Sequence, residues 1–317
     1  MKQIYKLIFG VGLLCSLLVG CNSKGNNPSG ENGSGSEEAS TPTDDFPNFS
    51  PDGKTATYGY YPQTVVDDES VISDLNELKA PTSKGWYLYK GNYYVKINAN
   101  PFNNGIHFDN GELIESGKQY WFKCEQINWK VATIKNGQYL IVTEKLLDVC
   151  SFFGSQDNRT IGGKTIYPNN YEHSDIRTWL NNDFYDSAFR LNDSYIQTTN
   201  VDNSASTTRY NTNTYCCNNT SDKIFLLNFK DYQSEDYGFG HDVKRSAKTT
   251  DWARARHAYS ETSSVTFRNC SPYWTRSPYN ESGLYTSYVN YSGTNDNIAK
   301  TNMTYYCARP ALNIKIA

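Results

Sequence analysis

The chain has 317 residues, a formal net charge of −3 and a sequence pI of about 5.9. This mildly acidic balance argues against a nucleic-acid partner, because binding to a phosphate backbone depends on clustered Lys and Arg. Aromatic residues make up 15% of the chain, with 26 Tyr and 6 Trp, which suits both the core of a β-protein and a binding surface.

The N-terminus has the pattern of an export signal. Lys2 and Lys6 precede an apolar stretch from Leu7 to Leu18 that contains two glycines. A basic start followed by a short apolar run is typical of a secretory signal peptide, and the run is too short to span a bilayer stably.

The apolar stretch ends at Leu18-Val19-Gly20-Cys21, which resembles the lipobox of bacterial lipoproteins. The resemblance implies that the signal peptide, residues 1–20, is removed, and that Cys21 carries diacylglycerol and a further acyl chain such as palmitate. Several acyl chains anchor a protein firmly to a membrane. The expected location is the bacterial cell envelope, and Asn22 favours, by analogy, the outer membrane or the cell surface. The alternative is an ordinary secretory signal with an incidental cysteine.

Residues 21–45 are predicted to form a disordered tether that begins at the lipidated cysteine. Apart from prolines, Ala39 is the only apolar residue between Asn22 and Asp45, and such a segment buries too little surface to offset its conformational entropy. As a flexible coil it reaches roughly 25–30 Å. Residues 46–317 are expected to follow as a single domain.

The first part of this domain reads as short aromatic strands around one helix. TATYGYYPQTVVDD, which begins at Thr55, predicts a strand that ends at Pro-Gln and a second strand after it. SVISDLNELKA has apolar residues at helical spacing, and Pro81 ends the helix. GWYLYKGNYYVKI predicts a hairpin that turns at Lys90-Gly91-Asn92, and a polar loop that contains His107 follows it from Asn98 to Gly117.

The middle of the chain contains the clearest strand and helix signals. KQYWFKCEQINWKVATIKNGQYLIVTEKLLD predicts strands joined by a turn at Asn136-Gly137. HSDIRTWLNNDFYDSAF predicts a helix with Ser174 as its N-cap. YIQTTNVDN reads as a strand, and a polar loop over residues 202–221 follows it.

The C-terminal part is a series of short elements. DKIFLLNFKDY predicts a strand, or a strand that enters a helix, and TTDWARARHAY predicts a short helix capped by Thr250. SPYWTRSP, YTSYVNYSG and YYCARPALNIKIA are β-like. Because strands and short helices mix without βαβ regularity, we expect an α+β fold with a twisted antiparallel sheet, two or so short helices and long polar loops.

An even number of cysteines remains after Cys15, which leaves with the signal peptide, and Cys21. Six cysteines in an exported chain suggest disulfides with fifteen open pairings, and buried free thiols are the alternative. The sequence has no C-x-x-C motif, so neither a zinc ribbon nor a thioredoxin-like site is supported. The six are Cys124, Cys150, Cys216, Cys217, Cys270 and Cys307.

The blocks YGYYPQT, INWKVATIKNGQYLIVTEKLLD, SDIRTWLNNDFYDSAF, DKIFLLNFKDY, YWTRSP and ARPALNI resemble, in this order, an uncharacterised domain family of bacterial surface lipoproteins. The resemblance runs from Tyr58 to Ala317. The closing blocks also resemble the superfold of C-type lectins and formylglycine-generating enzymes, which implies a C-type-lectin-like fold. Two features depart from the family pattern, the insertion at 86–117 and Cys307, and the second suggests a local disulfide.

The resembling blocks supply candidate binding residues. Arg177, Arg276 and Arg309 could present guanidinium groups to a carboxylate or sulfate, or they could fix loops by bonding backbone carbonyls or a nearby Asp. Trp274 and Tyr285 are aromatic candidates for the same two roles, and core packing is the favoured interpretation for the tryptophan.

Catalytic signatures are absent from the sequence. The four histidines are scattered, and neither H-E-x-x-H nor G-x-S-x-G occurs. Cys270 and Cys307 are the candidates for the copper-bound cysteine pair of formylglycine-generating enzymes, but neither lies in that motif. The segments DYGFGHD and SGTNDN offer oxygen ligands for calcium as a cofactor through Asp236, Asp242 and Asp296.

The leading functional hypothesis is therefore a lipid-anchored surface module that binds glycan or extracellular protein ligands. An anchor, a tether, many aromatic residues and no catalytic motif support it. The alternatives are an exported enzyme whose site assembles only in three dimensions, and a structural protein of the envelope.

Overall fold

The computed structural model describes residues 45–81 and 85–316, in which strands predominate over short helices. The predicted signal peptide, Cys21 and the tether up to residue 44 lie outside the described residues. Asp45, the last residue of the predicted tether, instead belongs to the folded part, where it is buried and accepts from Gly59 N at 2.8 Å. The α-helices are α1 (Glu69–Asn76), α2 (Asp175–Trp179), α3 (Tyr185–Ala188), α4 (Asp242–Arg245) and α5 (Asp251–Ala255). The strands are β1 (Asn48–Phe49), β2 (Thr55–Val65), β3 (Tyr87–Tyr89), β4 (Asn92–Asn98), β5 (Gln119–Lys135), β6 (Gln138–Thr143), β7 (Asp148–Val149), β8 (Arg159–Ile161), β9 (Lys164–Ile166), β10 (Ile196–Gln197), β11 (Thr199–Val201), β12 (Thr220–Asp222), β13 (Phe225–Leu226), β14 (Tyr273–Pro278), β15 (Tyr285–Val289), β16 (Asn297–Lys300), β17 (Cys307–Ala308) and β18 (Pro310–Lys315).

Two twisted sheets and two small ribbons organise these strands. The larger sheet has nine strands in the order β1-β2-β5-β6-β18-β10. In addition, β4 pairs with β5, β3 pairs with β4, and β13 pairs with β18. The second sheet has five strands in the order β16-β15-β14-β17-β7, and β8-β9 and β11-β12 form the ribbons. Among the named strands described here, β14 and β17 form the one parallel pair. The predicted α+β class with antiparallel sheets is confirmed.

Local turn chemistry forms the hairpins where the sequence predicts them. Asn136 and Gly137 have φ values of 53° and 74°, so the β5–β6 connection is a two-residue turn that needs positive φ at both positions. Lys90 and Gly91 connect β3 to β4 in the same way, with φ values of 43° and 72°. Both predicted hairpins are confirmed.

One long strand replaces the two strands predicted near the start of the domain. Thr55–Val65 is continuous, and Pro62 lies inside it. The pairing with β5 shifts register between Pro62 and Thr64, and Gln63 Nε2 in this bulge donates to two backbone carbonyl oxygens of β5 at 3.0 and 3.1 Å. A bulge tolerates a proline within a strand, so the predicted strand end at Pro-Gln is wrong.

The predicted helix N-caps form as expected. Ser174 Oγ accepts from the backbone N–H of Arg177 at 3.2 Å, and Thr250 Oγ1 accepts from that of Ala253 at 3.1 Å. The helix after Ser174 is not uniform, because a π-helical turn at Leu180–Phe184 separates α2 from α3. This turn places Leu180 and Phe184 in the core, where both are fully buried.

Two segments predicted as strands form less regular structure. YIQTTNVDN divides into β10, which pairs with β18, and β11, which pairs with β12. DKIFLLNFKDY contributes only the short β13 and then a 3-10 turn at Asp231–Gln233. The apolar run in this segment is buried on every side, so its pattern does not reveal the length of the strand.

The described residues all belong to one compact unit whose core is rich in aromatic rings. Trp129 and Trp274 are completely buried, and they are among the largest side chains of the core. All six described cysteines are free thiols, so neither a framework of disulfides nor a local bridge at Cys307 is found in the structure. In the described part of the chain, every helix is too short or too polar to span a bilayer.

Candidate binding site

A cleft of about 680 Å³ opens where four segments of the chain meet. Its volume lies in the range that small-molecule sites usually occupy. Charged, hydroxyl and amide side chains share its surface with glycine and phenylalanine. The lining residues are Gly105, His107, Phe108, Asp109, Gly111, Lys145, Lys248, Thr262, Arg268 and Asn269.

One wall of the cleft is the loop at the end of the predicted insertion. This loop folds back on itself through a bridge between His107 and Leu113, and Phe108 N donates to Glu112 O at 2.9 Å. Ile106 and Phe108 are 1% and 2% exposed, so their side chains hold the loop against the main core. The loop therefore presents its polar residues from a fixed backbone.

Three further segments lie side by side and bring the basic residues of the cleft together. Leu146 forms a parallel bridge with Thr249, and Leu146 N donates to Lys248 O at 2.8 Å. Thr249 N in turn donates to Asn269 O at 2.8 Å. Lys145, Lys248 and Arg268, which adjoin or belong to these bonded positions, consequently line one cleft although they are far apart in sequence.

A buried network fixes Asp109 in the cleft. Asp109 N donates to Asp251 Oδ1 at 2.8 Å, and the buried Arg254 donates through Nη2 to Asp109 Oδ1 at 2.6 Å and also pairs with Asp251. Lys145 Nζ lies 3.6 Å from Asp109 Oδ2. Burial raises the pKa of Asp251. Burial acts in the same direction on Asp109, but Arg254 and Lys145 outweigh it and lower the pKa of that carboxyl.

The cleft carries an excess of positive charge on a chain whose net charge is −3. Lys145, Lys248 and Arg268 line it against the single carboxylate of Asp109. Lys145 is engaged by that carboxylate, whereas neither Lys248 nor Arg268 forms an ion pair within residues 45–81 and 85–316. Two cations are thus available to a ligand, and a concave surface concentrates their field.

Half-buried aromatic side chains lie in a continuous series, which we call the aromatic row. Phe102, Tyr259 and Phe267 come from loops that line the cleft, and Tyr291 and Tyr305 come from the loops after β15 and β16. Phe102 contacts Tyr305 and Tyr259 with ring-centroid distances of 4.4 and 5.7 Å. Tyr259 continues to Tyr291 at 6.0 Å, and Tyr291 to Phe267 at 6.4 Å. Phe267 directly precedes Arg268 of the cleft, so one end of the aromatic row adjoins the cleft along the chain.

The arginines singled out from the sequence lie elsewhere and bind the protein itself. Arg177 pairs with the buried Asp222, with Nη2 and Oδ1 2.6 Å apart. Arg276 Nη1 donates to Leu226 O at 2.5 Å, and Arg309 donates to backbone carbonyls through Nε and Nη1 at 3.0 and 2.8 Å. These contacts have the geometry of loop fixing, the second of the two roles considered for them.

The two aromatic candidates are also outside the cleft. Trp274 is fully buried in β14, and its Nε1 donates to Cys150 O at 2.8 Å. Tyr285 begins β15 and is half-buried, with its ring 6.5 Å from that of Tyr279. Sequence reasoning therefore missed the residues of the cleft. The signal that could have found them was confined to His107 and the polar loop around it.

The calcium candidates do come together in part, but they surround an arginine. The buried Arg245 donates to the carbonyl oxygens of Gly293, Tyr232 and Phe239 at 2.6, 3.1 and 2.7 Å, and it pairs with Asp242. A guanidinium thus takes the convergent oxygens that a cation needs. Asp296 pairs with Arg209, and Asp236 is exposed.

Metal and thiol chemistry receive no geometric support in this structure. Across the described residues, no group of three or more His, Cys, Asp or Glu side chains could hold a metal ion. Burial raises the pKa of Cys307 to about 12 and also raises that of Cys270, which disfavours the thiolates that a copper site requires.

Comparison with known families places the chain among domains without an assigned role. The family model described as "Domain of unknown function (DUF6273)" matches residues 136–316, more than half of the chain. The chain belongs to the DUF6273 family. The predicted membership of an uncharacterised domain family is therefore confirmed, although the match begins well after Tyr58. No curated protein and no solved structure matches the chain.

The DUF6273 region supplies only part of the cleft. Lys145, Lys248 and Arg268 lie inside the matched residues, whereas the loop that carries His107 and Asp109 precedes them. The first strands of the nine-stranded sheet also precede the match. A binding property of this cleft would thus depend on the segment before the DUF6273 region as well as on the region itself.

Proposed function

We propose that this protein is a lipid-anchored module of the bacterial cell envelope that binds glycans in the cleft. The observation that carries the proposal is that the loops of Phe102, Tyr259 and Phe267 in the aromatic row also line the polar cleft. Aromatic side chains offer large apolar surface with few rotatable bonds, and the pairing of such surface with a few placed polar groups is typical of ligand sites.

The polar groups of the cleft suit the hydroxyl groups of sugars. Asn269 supplies an amide, Thr262 a hydroxyl and Asp109 a carboxylate that accepts hydrogen bonds. Asp109 is held by Arg254, and a ring nitrogen of His107, Nδ1, lies 2.9 Å from Gly105 O. Groups already engaged in this way favour a site that positions a ligand over one that transfers protons.

The N-terminal pattern supports the envelope location. A lipid on Cys21 and a tether of residues 21–45 would hold the module near a membrane, at the outer membrane or the cell surface, without fixing its orientation. Mass spectrometry of the native chain tests this part directly. Detection of an unmodified Cys21 with the leader still attached would contradict it.

A glycan array probed with the full-length chain, purified in mild detergent, tests the binding function. Replacing the exposed Thr262 by Trp should fill the cleft and reduce binding at least tenfold, because the new ring occupies the space of the ligand. Thr165→Trp is the matched control, since Thr165 is exposed on β9 and does not line the cleft. Failure to bind any glycan, together with binding on an array of extracellular proteins, would replace the glycan by a protein ligand.

A further inference from the structure

We propose that the ligand of the cleft is an acidic saccharide, whose carboxylate or sulfate is held by Lys248 and Arg268. This inference rests on the proposed glycan-binding function and specifies the class of glycan. It starts from the two cations of the cleft that have no acidic partner in the part of the chain that the structure describes.

The positive charge is not cancelled by the layer beneath the cleft. That layer holds Arg254, which is 0% exposed and pairs with both Asp109 and Asp251. Lys145, Lys248, Arg268 and Arg254 thus stand against two carboxylates, which leaves two positive charges for a ligand.

Glu261, the acidic residue on the same loop as Arg268, is hydrogen-bonded to other groups. Glu261 is 7% exposed, and its carboxylate accepts from the backbone N–H groups of Ser263 and Ser264 at 2.7 and 3.1 Å. Its second oxygen accepts from Tyr259 Oη at 2.9 Å. Glu261 therefore stabilises the loop that leads to Arg268, and it forms no ion pair with that arginine in the described part of the chain.

The positions of Lys248 and Arg268 suit an anion of fixed shape. Their segments are bonded to each other through the bridge between Lys248 and Cys270 and through the hydrogen bond from Thr249 N to Asn269 O. Arginine presents a planar fork that matches two oxygens of a carboxylate or sulfate, and lysine adds a compact charge. The backbone holds both cations on one surface before a ligand arrives.

A saccharide fits the surroundings better than an acidic peptide does. Asn269 and Thr262 lie beside the cations, and the aromatic row extends from Phe267, the neighbour of Arg268. A sugar ring that carries one acidic group would use all three features at once. A flexible acidic peptide would require only the two cations of the cleft.

The test uses titration calorimetry of the full-length chain in mild detergent against matched polymers. Polygalacturonate is compared with its methyl ester, which keeps the sugar and loses the charge, and dextran sulfate is compared with dextran. Polyglutamate serves as the acidic peptide. We expect binding to an acidic polysaccharide that falls at least tenfold when its charge is removed and that weakens with added salt, because exposed charges are screened.

Charge-removing variants then locate the site. Lys248→Gln and Arg268→Gln should each weaken binding about tenfold, because a hydrogen bond to a charged group contributes roughly 1.5–3 kcal/mol and each 1.4 kcal/mol is tenfold. The control is the double variant Lys79→Gln/Lys164→Gln, which removes two exposed lysines away from the cleft. It should bind within twofold of the parent chain.

Each remaining outcome has a definite meaning. Preference for polygalacturonate or for dextran sulfate would support the inference and would identify the anionic group as carboxylate or sulfate. If the chain bound neutral glycans tightly and the affinity did not change in Lys248→Gln and Arg268→Gln, the inference would be overturned and the glycan-binding function would stand. If polyglutamate bound as tightly as the acidic polysaccharides, the inference that the ligand is a saccharide would be overturned. No binding to any glycan would refute the proposed function itself.

Discussion

Replacement of Arg309 by methionine tests whether the arginine of the Arg-Pro-Ala-Leu block is structural. Arg309 is 3% exposed, and its guanidinium donates to Thr143 O at 3.0 Å and to Arg245 O at 2.8 Å. It also donates to Tyr273 Oη at 2.9 Å, and its Cζ lies 5.1 Å from the centroid of the Tyr273 ring. One buried side chain therefore connects β6, β14 and the end of α4.

The structure sets the size of the expected effect. Methionine fills a similar length of the core but removes three hydrogen bonds, and it leaves the buried oxygens of Thr143 and Arg245 with fewer donors. A buried acceptor left without its donor costs about 1–3 kcal/mol, so the loss of these bonds should lower the free energy of unfolding by roughly 3–5 kcal/mol. Since 1 kcal/mol shifts the melting temperature of a domain of this size by about 2–4 °C, the Arg309→Met chain should melt roughly 10 °C below the parent.

Thermal unfolding followed by tryptophan fluorescence measures this shift, and Arg268→Met is the matched control. Arg268 is exposed in the cleft without an ion pair in the described part of the chain, so its replacement should change stability by no more than about 0.5 kcal/mol. The two variants should therefore separate stability from binding. An Arg309→Met chain that melts within 1 °C of the parent but no longer binds glycan would show that the buried arginine belongs to the binding machinery.

Three further predictions concern other parts of the chain. Gly293 has a φ of +90°, and a Cβ there would lie 1.6 Å from Asp242 O. Gly293→Ala should therefore lower the free energy of unfolding by more than about 3 kcal/mol. Gly117→Ala, at a φ of +82° with open space around it, should cost only about 1 kcal/mol, and equal losses in chemical unfolding would refute this reasoning. Burial raises the pKa of Asp45 from 3.8 to about 6, so the folded state holds this proton more tightly and the contribution of Asp45 to the melting temperature should fall as pH rises between these values. Asp45→Asn should flatten that dependence, and an unchanged pH profile would contradict it. Cys21→Ser should move the chain from the membrane fraction to the soluble fraction, and retention on the membrane would argue against the lipid anchor.

Features set by a few neighbouring residues were predictable from the sequence. Asn136-Gly137 forms its turn because both residues accept positive φ, and Ser174 and Thr250 cap helices because their hydroxyls reach the first free backbone N–H groups. Pro62 was misread because the bulge that tolerates it depends on β5, a partner strand about sixty positions away.

The cleft could not be predicted because its parts are distant in sequence. Lys145 and Lys248 are separated by about a hundred residues and become neighbours only through the bridge between Leu146 and Thr249. The calcium interpretation stays a prediction, and the surroundings of its candidate residues likewise depend on contacts that the sequence does not show. Oxygen-rich loops around Asp242 and Gly293 resemble a cation site, and the sequence does not show that Arg245 supplies the cation.

The arginines of this domain differ in what their guanidinium groups contact. Some bond to the protein itself, whereas Arg268 lines the cleft. Arg177, Arg276 and Arg309 belong to the recognisable sequence blocks, and each has its guanidinium bonded to a carboxylate or to carbonyl oxygens of the protein. The arginines of those blocks therefore stabilise the loops of the domain. Lys248 and Arg268 lie outside the blocks, line the cleft and form no ion pair within the described residues. Ligand chemistry should consequently follow the residues of the cleft, so chains that share the blocks but differ at these two positions should share the fold and differ in what they bind.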